Sequence, residues 1–417
     1  MIRLDELQVV DYNMRGLRAP GLAGTARLFH TTPSCCRRSF PAVFARGGTS
    51  NGLVILRHNL PPESQWHAVL PQAMGSPDPY GRQLNGMGGG ISSTSKICVI
   101  SPSERDDADV DFTFVQVGIR DGGLDMAGNC GNMSSVVGPV AWDEGLVGRE
   151  GEGRGKGREV MVRIWNTNTR KVIHSKFRVD EQGRYEPMGE YEMDGVPGPG
   201  SRITLGFLRP AGAGTGKGAL PTGRPVDDLV LRSGRRLRAS LVDVSNPGVF
   251  VRAEDLLEGG YHGCTRPSAI EADEGFKALL EEVRRAGAQK MGLDPEVQSV
   301  PKIVMVFDPP KEKKGEEGVD IRCLAMSMGQ AHKAVPLTLA LCLGAAAGIE
   351  GTIPYQLRSG RREEATGKGA EDARRTTVVI KHPSGNVEIG TTVEDGEVIS
   401  AELHRTARVL MKGEVFY

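Results

Sequence analysis

The sequence predicts an α+β fold built as two similar halves, each a strand-rich barrel or curled sheet wrapped around one apolar helix. Three observations predict it. Strand-like segments outnumber helical ones; two apolar, helix-compatible stretches, 133–142 and 334–349, each follow a comparable series of strands; and a segment poor in large apolar residues, 209–228, separates the two series. A length of 417 residues suits two or three domains. The expected division is a leader over 1–40, a first domain over 41–228 and a second over 229–417.

In the first half, Pro41-Ala42-Val43-Phe44-Ala45-Arg46 reads as a strand, Gly47-Gly48-Thr49-Ser50-Asn51-Gly52 as a glycine turn, and Leu53-Val54-Ile55-Leu56 as the returning strand. Further strands are expected at 96–100, 110–117, 160–165, 174–179 and 201–208, with 133–142 as the core helix among them. Segment 209–228 is a linker or long loop. It is not a phosphate loop: around Gly216-Lys217 the leading glycine is replaced by Ala211 and the following hydroxyl by Gly218. The second half repeats the plan, with strands at 238–244, 302–307 and 320–326. The apolar helix 334–349 follows, with Pro336 tolerated in its first turn, then strands at 376–381, 387–389 and 397–403. An amphipathic helix over 269–291 is expected to cover an outer face. Polar stretches 144–158, 309–318 and 358–375 read as surface loops. Two such halves would set their helix starts facing each other across a cleft, where small ligands bind.

Composition removes several function classes. The 52 basic and 52 acidic residues balance, which gives no electrostatic argument for nucleic-acid or membrane binding. No apolar run approaches the roughly 20 residues of a membrane span. The seven cysteines, at 35, 36, 98, 130, 264, 323 and 342, follow neither disulfide nor zinc spacing. His262-Gly263-Cys264 offers two ligands without a second pair and reads as a loop, so no metal is expected. From Tyr12 to Pro62 there is no Asp or Glu, while Arg15, Arg18, Arg27, Arg37 and Arg38 recur among small and hydroxyl residues. That is transit-peptide composition, which predicts a mitochondrial (matrix) location with the cytoplasm as the alternative. Asp5, Glu6 and Asp11 break the pattern only upstream of Met14.

Chemistry concentrates in two places. Gly128-Asn129-Cys130-Gly131-Asn132 puts one thiol between glycines at the start of the first apolar helix. The free N–H groups of the first turn would favour a thiolate there, and the missing Cβ atoms let amides approach sulfur or a carboxylate. A buried cysteine in a glycine turn is the structural alternative. Upstream, Gly86-Met87-Gly88-Gly89-Gly90-Ile91-Ser92-Ser93-Thr94-Ser95-Lys96 ends a glycine and hydroxyl run in one lysine at the start of a strand. Its amides and hydroxyls would cradle a carboxylate, and Lys96 would serve as acid, base or fixed charge, or merely as a solvated one. The dinucleotide fingerprint fails because Ile91 holds the place of its third glycine.

Six motifs in order resemble the PrpF family: Ala45-Arg46-Gly47-Gly48-Thr49-Ser50, Gly88 through Lys96, Gly128 through Asn132, Val242-Asp243-Val244-Ser245-Asn246-Pro247, Ser327-Met328-Gly329 with His332-Lys333-Ala334, and His382-Pro383-Ser384-Gly385. The resemblance runs from about Pro41 to the C-terminus. It implies a diaminopimelate-epimerase-like fold, with the active site in the cleft between two pseudo-symmetric barrels, and cofactor-independent isomerisation of unsaturated di- and tricarboxylates. It places catalytic roles at Lys96 and Cys130. Substrate-binding roles fall to Thr49, Ser50, Gly88, Gly89, Gly90, Ser92, Ser93, Thr94, Ser95, Asn129, Gly131, Asn132, Ser327, Met328, Lys333 and Ser384. Bland readings stand beside these: His332 and Lys333 as a cap of the strand-to-helix turn, His382 as a packing residue, Ser384 as a turn residue. Asn51 departs from the lysine frequent in the family, and no cysteine stands at the second helix start, so a two-thiol racemase is not expected. The implied reaction is cis–trans isomerisation of 2-methylaconitate by allylic proton transfer. Aconitate or methylitaconate Δ-isomerisation is the enzymatic alternative, and non-catalytic carboxylate binding or assistance to an aconitase the alternative of another class. A homodimer is compatible with the sequence and undecided by it.

Overall fold

The strands predicted between glycine turns form and extend into one continuous sheet system. The structure, a computed structural model, describes residues 38–148, 158–257, 265–308, 318–359 and 374–417, together with the backbone of 363–365. The leader up to Arg37, the His262/Cys264 pair and the middles of the three polar stretches lie outside the described residues.

The first half comprises β1 (Ser39–Gly47), β2 (Ser50–Leu56), α1 (Trp66–Met74), β3 (Lys96–Pro102), β4 (Val110–Val117), β5 (Leu124–Asp125), α2 (Gly131–Asp143), β6 (Arg158–Asn166), β7 (Lys171–Val179) and β8 (Ile203–Leu208). The chain continues through β9 (Asp227–Val230), β10 (Arg236–Val244), β11 (Asn246–Arg252), α3 (Ala253–Leu257), α4 (Pro267–Glu271), α5 (Glu274–Met291), β12 (Lys302–Phe307), β13 (Ile321–Ser327) and β14 (Gln330–Ala331). It ends with α6 (Leu337–Gly348), α7 (Ile353–Leu357), β15 (Glu363–Ala365), β16 (Arg374–His382), β17 (Gly385–Glu394), β18 (Glu397–Arg405) and β19 (Ala407–Phe416).

Pairing exposes the internal repeat. One sheet runs β19-β1-β2-β3-β4-β6-β7-β8, with β2·β3 and β4·β6 parallel and the other pairs antiparallel. The other runs β9-β10-β11-β12-β13-β16-β17-β18, with β11·β12 and β13·β16 parallel and the rest antiparallel. The sequence of parallel and antiparallel neighbours is the same in both, and β8 pairs with β18 to join them. The last strand, β19, crosses back to β1, just as β9 crosses forward to β10. A cut at 228/229 therefore passes through β9 and leaves β19 in the first sheet.

Each sheet curls around one helix. Every residue of α2 from Gly131 to Trp142 is buried, as is every residue of α6 from Leu337 to Ala347. A helix apolar on all faces belongs in a core. Both helices carry glycine at their eighth position, where a strand crosses closely. A Cβ on Gly138 would lie 2.5 Å from Ser175 Oγ on β7, and one on Gly344 2.6 Å from Ile389 Cγ2 on β17. Amphipathic helices then cover the outer faces: Phe276, Leu280, Val283 and Met291 of α5 pack on the second sheet, and Trp66, Val69, Leu70 and Met74 of α1 on the first.

The differences from expectation include three helices. The helix expected over 269–291 is two, because Asp273 caps α5, its side chain accepting from Phe276 N at 2.9 Å. The helix expected from 334 starts at Leu337, with Pro336 as its extended N-cap. Helix α1 was masked in the sequence by Pro71. An interior proline costs about 3 kcal/mol, but burying Trp66, Val69, Leu70 and Met74 returns about 1.5–3 kcal/mol each.

Candidate active site

The two helix starts meet in the molecule's centre. A Cβ on Gly131 would stand 2.2 Å from Leu337 Cδ2, and Thr338 Oγ1 reaches Asn129 O at 3.5 Å. Glycine at 131 is what allows this approach. The first amides of both helices have no intrahelical acceptors and point into the space between them, so two positive helix ends converge there. An anion is the natural guest.

Cys130 is the N-cap of α2, with φ −109° and ψ 97°, and its side chain makes no capping hydrogen bond. It is the only thiol lining the cavity among the described residues. Cys98, Cys323 and Cys342 are fully buried, and burial pushes each of these thiols up, Cys323 to about 12. At the second helix start the position corresponding to Cys130 is Pro336, so the thiol pair is absent there as expected.

Lys96 opens β3 and is 8% exposed. Its Nζ donates to Gln116 Oε1 at 2.6 Å and lies 5.1 Å from the centre of the Phe114 ring. Gln116 is itself fixed, its Nε2 donating to Ser92 O (3.2 Å) and Ser95 O (2.8 Å). Lys302 opens β12, is likewise buried, and donates to Ser299 O at 2.6 Å. Ser299 Oγ in turn donates to Asp125 Oδ1 at 2.8 Å. Desolvation, reinforced by the charge of Lys96, lowers the Lys302 ammonium to about 8.

His332, partly buried, accepts from Ala334 N at Nδ1 (3.2 Å). Burial, with the nearby positive charge of Lys96, pulls its pKa down to about 4, so at neutral pH it is an uncharged ring with its proton on Nε2. Asn129 is buried; its Oδ1 accepts from Ser134 Oγ at 3.3 Å, while its Nδ2 has no partner among the described residues. A buried donor without an acceptor is costly, and this one borders the cavity.

The cavity is tight, with about 40 Å³ open to water-sized molecules. It shares Gln116 and Met328 with a neighbouring hollow of about 360 Å³. A hollow of about 400 Å³ beside Tyr417, lined by Gln72, Asp78, Tyr80 and Arg82, has more room but no thiol, lysine or imidazole. Chemistry, not size, therefore picks out the site.

The PrpF protein family model matches residues 37–417. The chain belongs to the PrpF family. Among curated PrpF relatives, a 2-methyl-aconitate isomerase from Cupriavidus necator is 37% identical over 398 residues, spanning 90% of this chain and 96% of that protein. A 3-methylitaconate isomerase from Eubacterium barkeri is 37% identical over 393 residues, with 90% and 96% covered. The crystal structure of a methylitaconate-delta-isomerase superposes with a TM-score of 0.68 at 35% identity, covering 91% of this chain and 96% of that one. The fold is the diaminopimelate-epimerase-like α+β fold, and the chain is an isomerase.

The PrpF motifs distribute unevenly around the cavity. Ser50, Lys96, Asn129, Cys130, Gly131, Asn132, Ser327 and Met328 line it together. Thr49 sits behind them, accepting from Asn132 Nδ2 at 3.0 Å. The run from Gly88 to Ser95 does not line it. Several of its polar groups are spent internally: Gly88 N donates to Met74 O (3.1 Å), Gly90 N to Gln83 Oε1 (3.0 Å) and Ser95 Oγ to Val117 O (2.9 Å). Of this run, Gly90 and Ser92 border the neighbouring hollow. Gly89, Ser93 and Thr94 border neither space, and Thr94 Oγ1 donates to Ile91 O (3.2 Å). What the run supplies to the cavity is the pair of carbonyls that hold Gln116 against Lys96.

Lys333 and Ser384 also lie elsewhere, in a separate hollow with Arg322, Lys381 and His382. His332 lines the cavity, whereas Lys333, exposed in the bend that follows β14, does not, and Ser384 Oγ donates to its carbonyl at 2.7 Å. Asn51 does not line the cavity either. In the Val242–Pro247 motif, Asp243 is structural, accepting from Gly214 N, Thr215 N and Thr215 Oγ1 and so pinning the glycine-rich linker.

Sequence reasoning does not reach Gln116, Asp125, Ser299 or Lys302, and it leaves His332 open between a motif residue and a cap of the strand-to-helix turn. Only Lys302 carried a usable signal: overlaying the two halves strand by strand places it where Lys96 stands.

Proposed function

We propose that this PrpF protein isomerises an unsaturated tricarboxylate of the 2-methylaconitate type by allylic proton transfer, without a cofactor, using Lys96 and Cys130 as the acid–base pair. The observation that carries this reading is the convergence of a lysine, a single thiol and two helix N-termini on one buried cavity. Relatives named for 2-methyl-aconitate and 3-methylitaconate are equally similar at 37% identity, which supports the reaction type more than the choice of substrate.

Moving or rotating a C=C bond conjugated to carboxylates starts with removal of an allylic proton. The electrons spread into a dienolate, and the second proton transfer fixes the product. Lys96 or Cys130 takes the proton and the other returns one. Amides of Gly131 and Asn132, the free Nδ2 of Asn129 and the Nε2–H of neutral His332 donate to oxygens where charge accumulates. Because the ring is uncharged, it polarises the oxygen without handing over a full proton. The neighbouring hollow beside Gln116 and Met328 gives length for a molecule with three carboxylates.

Purified protein incubated with cis-aconitate, 2-methylaconitate and methylitaconate in turn, and followed by proton NMR, is expected to convert at least one to an isomer of equal mass. Absence of any isomer from all three would sink the proposal and favour carboxylate binding without turnover.

A further inference from the structure

The fold's internal repeat has duplicated one reactive position and not the other. In the first sheet the parallel pairing of β2 and β3 begins with Gly52 opposite Lys96; in the second, the parallel pairing of β11 and β12 begins with Gly248 opposite Lys302. Each lysine is the first residue of its strand, each is buried, and both line the same cavity. The thiol has no such twin, since Pro336 stands at the second helix start.

The surroundings of the two lysines differ in a way that separates their roles. Lys96 donates to a neutral side-chain amide, Gln116. Lys302 donates to a backbone carbonyl, Ser299 O, and its other two donors have no acceptor among the described residues. The carboxylate felt by Lys302, Asp125, forms no ion pair with it, and its Oδ1 accepts from Ser299 Oγ at 2.8 Å and from Ala127 N at 2.9 Å. In the lining of the same cavity, Asn129 Nδ2 is a second buried donor without an acceptor among the described residues. A buried ammonium with spare donors beside an unpartnered amide donor is built to receive an anion.

We propose that Lys302 anchors a second carboxylate of the substrate, fixing the polycarboxylate so that its allylic carbon lies at Lys96 and Cys130. This rests on the cavity being the substrate site. It makes the number of substrate carboxylates, rather than the hydrocarbon between them, the feature that the second half of the molecule reads. Lys302 must be protonated to do this, and burial leaves its ammonium near 8 in the free protein. Binding should then weaken as pH rises above about 8, and should draw a proton from solvent there.

The test uses tricarballylate, a saturated tricarboxylate that cannot react, titrated calorimetrically into the full-length wild type and Lys302→Met. The expected result is a loss of affinity on the order of 10-fold to 10²-fold, the size of a lost charge-assisted hydrogen bond. The weakening limb above pH 8 should also disappear in the variant. For the wild type at pH 8.5, titrations in two buffers of different ionisation enthalpy should reveal net proton uptake; this arm stands even if the variant fails to fold. Affinity within about threefold of wild type in a folded variant, or no proton uptake by the wild type, overturns the anchor. So does an unchanged tricarballylate affinity with a collapsed kcat, which would make Lys302 a proton carrier instead. If no substrate is turned over by wild type yet tricarballylate binding depends on Lys302, the anchor stands and the isomerase mechanism falls.

Discussion

Replacing Cys130 by Ala, or Lys96 by Met, is expected to lower kcat on the order of 10²-fold to 10⁴-fold while leaving the protein folded, because general acid–base groups contribute that much. Stability should hardly change for Cys130→Ala. The thiol makes no capping hydrogen bond to α2, and alanine keeps the backbone that accepts from Ser134 N at 2.9 Å. Lys96→Met keeps the length of the side chain, but removes the ammonium from the Phe114 ring and leaves Gln116 Oε1 without its donor. A cost on the order of 1–3 kcal/mol follows from that unpaired acceptor. Thermal unfolding alongside initial rates separates the two effects. Near-normal turnover in either variant would remove that residue from the acid–base pair.

Gly52→Ala should damage both stability and rate although residue 52 does not itself line the cavity. A Cβ there would lie 2.4 Å from Lys96 O and 3.1 Å from Lys96 Cβ. The carbonyl belongs to a paired strand and cannot swing aside, so β2 and β3 must separate by some tenths of an ångström. Overpacking of this kind costs about 1–3 kcal/mol. It also shifts the backbone that aims Lys96, and misplacement of a catalytic group by about 1 Å costs on the order of 10²-fold. A fall in kcat of about tenfold or more is expected, measured with the unfolding temperature. Gly413→Ala is the control, since nothing lies within 4 Å of its would-be Cβ. A wild-type rate in Gly52→Ala would mean that the pairing of β2 with β3 does not position Lys96.

The barrel-and-helix plan was legible because both central helices are apolar on every face and their flanking strands are rich in β-branched residues between glycine turns. The first outer helix was not, because Pro71 spoke locally against a helix that tertiary burial stabilises. Nor was the last strand: nothing local in Ala407–Phe416 says that it returns to β1, some 360 residues away in sequence. Around the site, Cys130 was recognisable from its flanking glycines and the helix that follows. The glycine-hydroxyl run before Lys96 looked like an anion cradle, since sequence shows donors but not that Met74, Gln83 and Val117 use them. The motif places Lys333 beside His332, but the chain bends there after β14, so His332 lines the cavity while Lys333 lines a separate hollow. Asp125 and Ser299 gave no signal at all, because their relation to Lys302 exists only after the two halves pack.

On the proposed mechanism, Lys96 and Cys130 move an allylic proton of a polycarboxylate between them and solvent. Running the wild type, Lys96→Met and Cys130→Ala on 2-methylaconitate in D₂O, with NMR of substrate and product, tests it most directly. Deuterium is expected at the allylic carbon in step with wild-type turnover, with strong suppression of both exchange and isomerisation in each variant. Isomer formed at equal rates by all three proteins, with no deuterium in substrate or product, would contradict it.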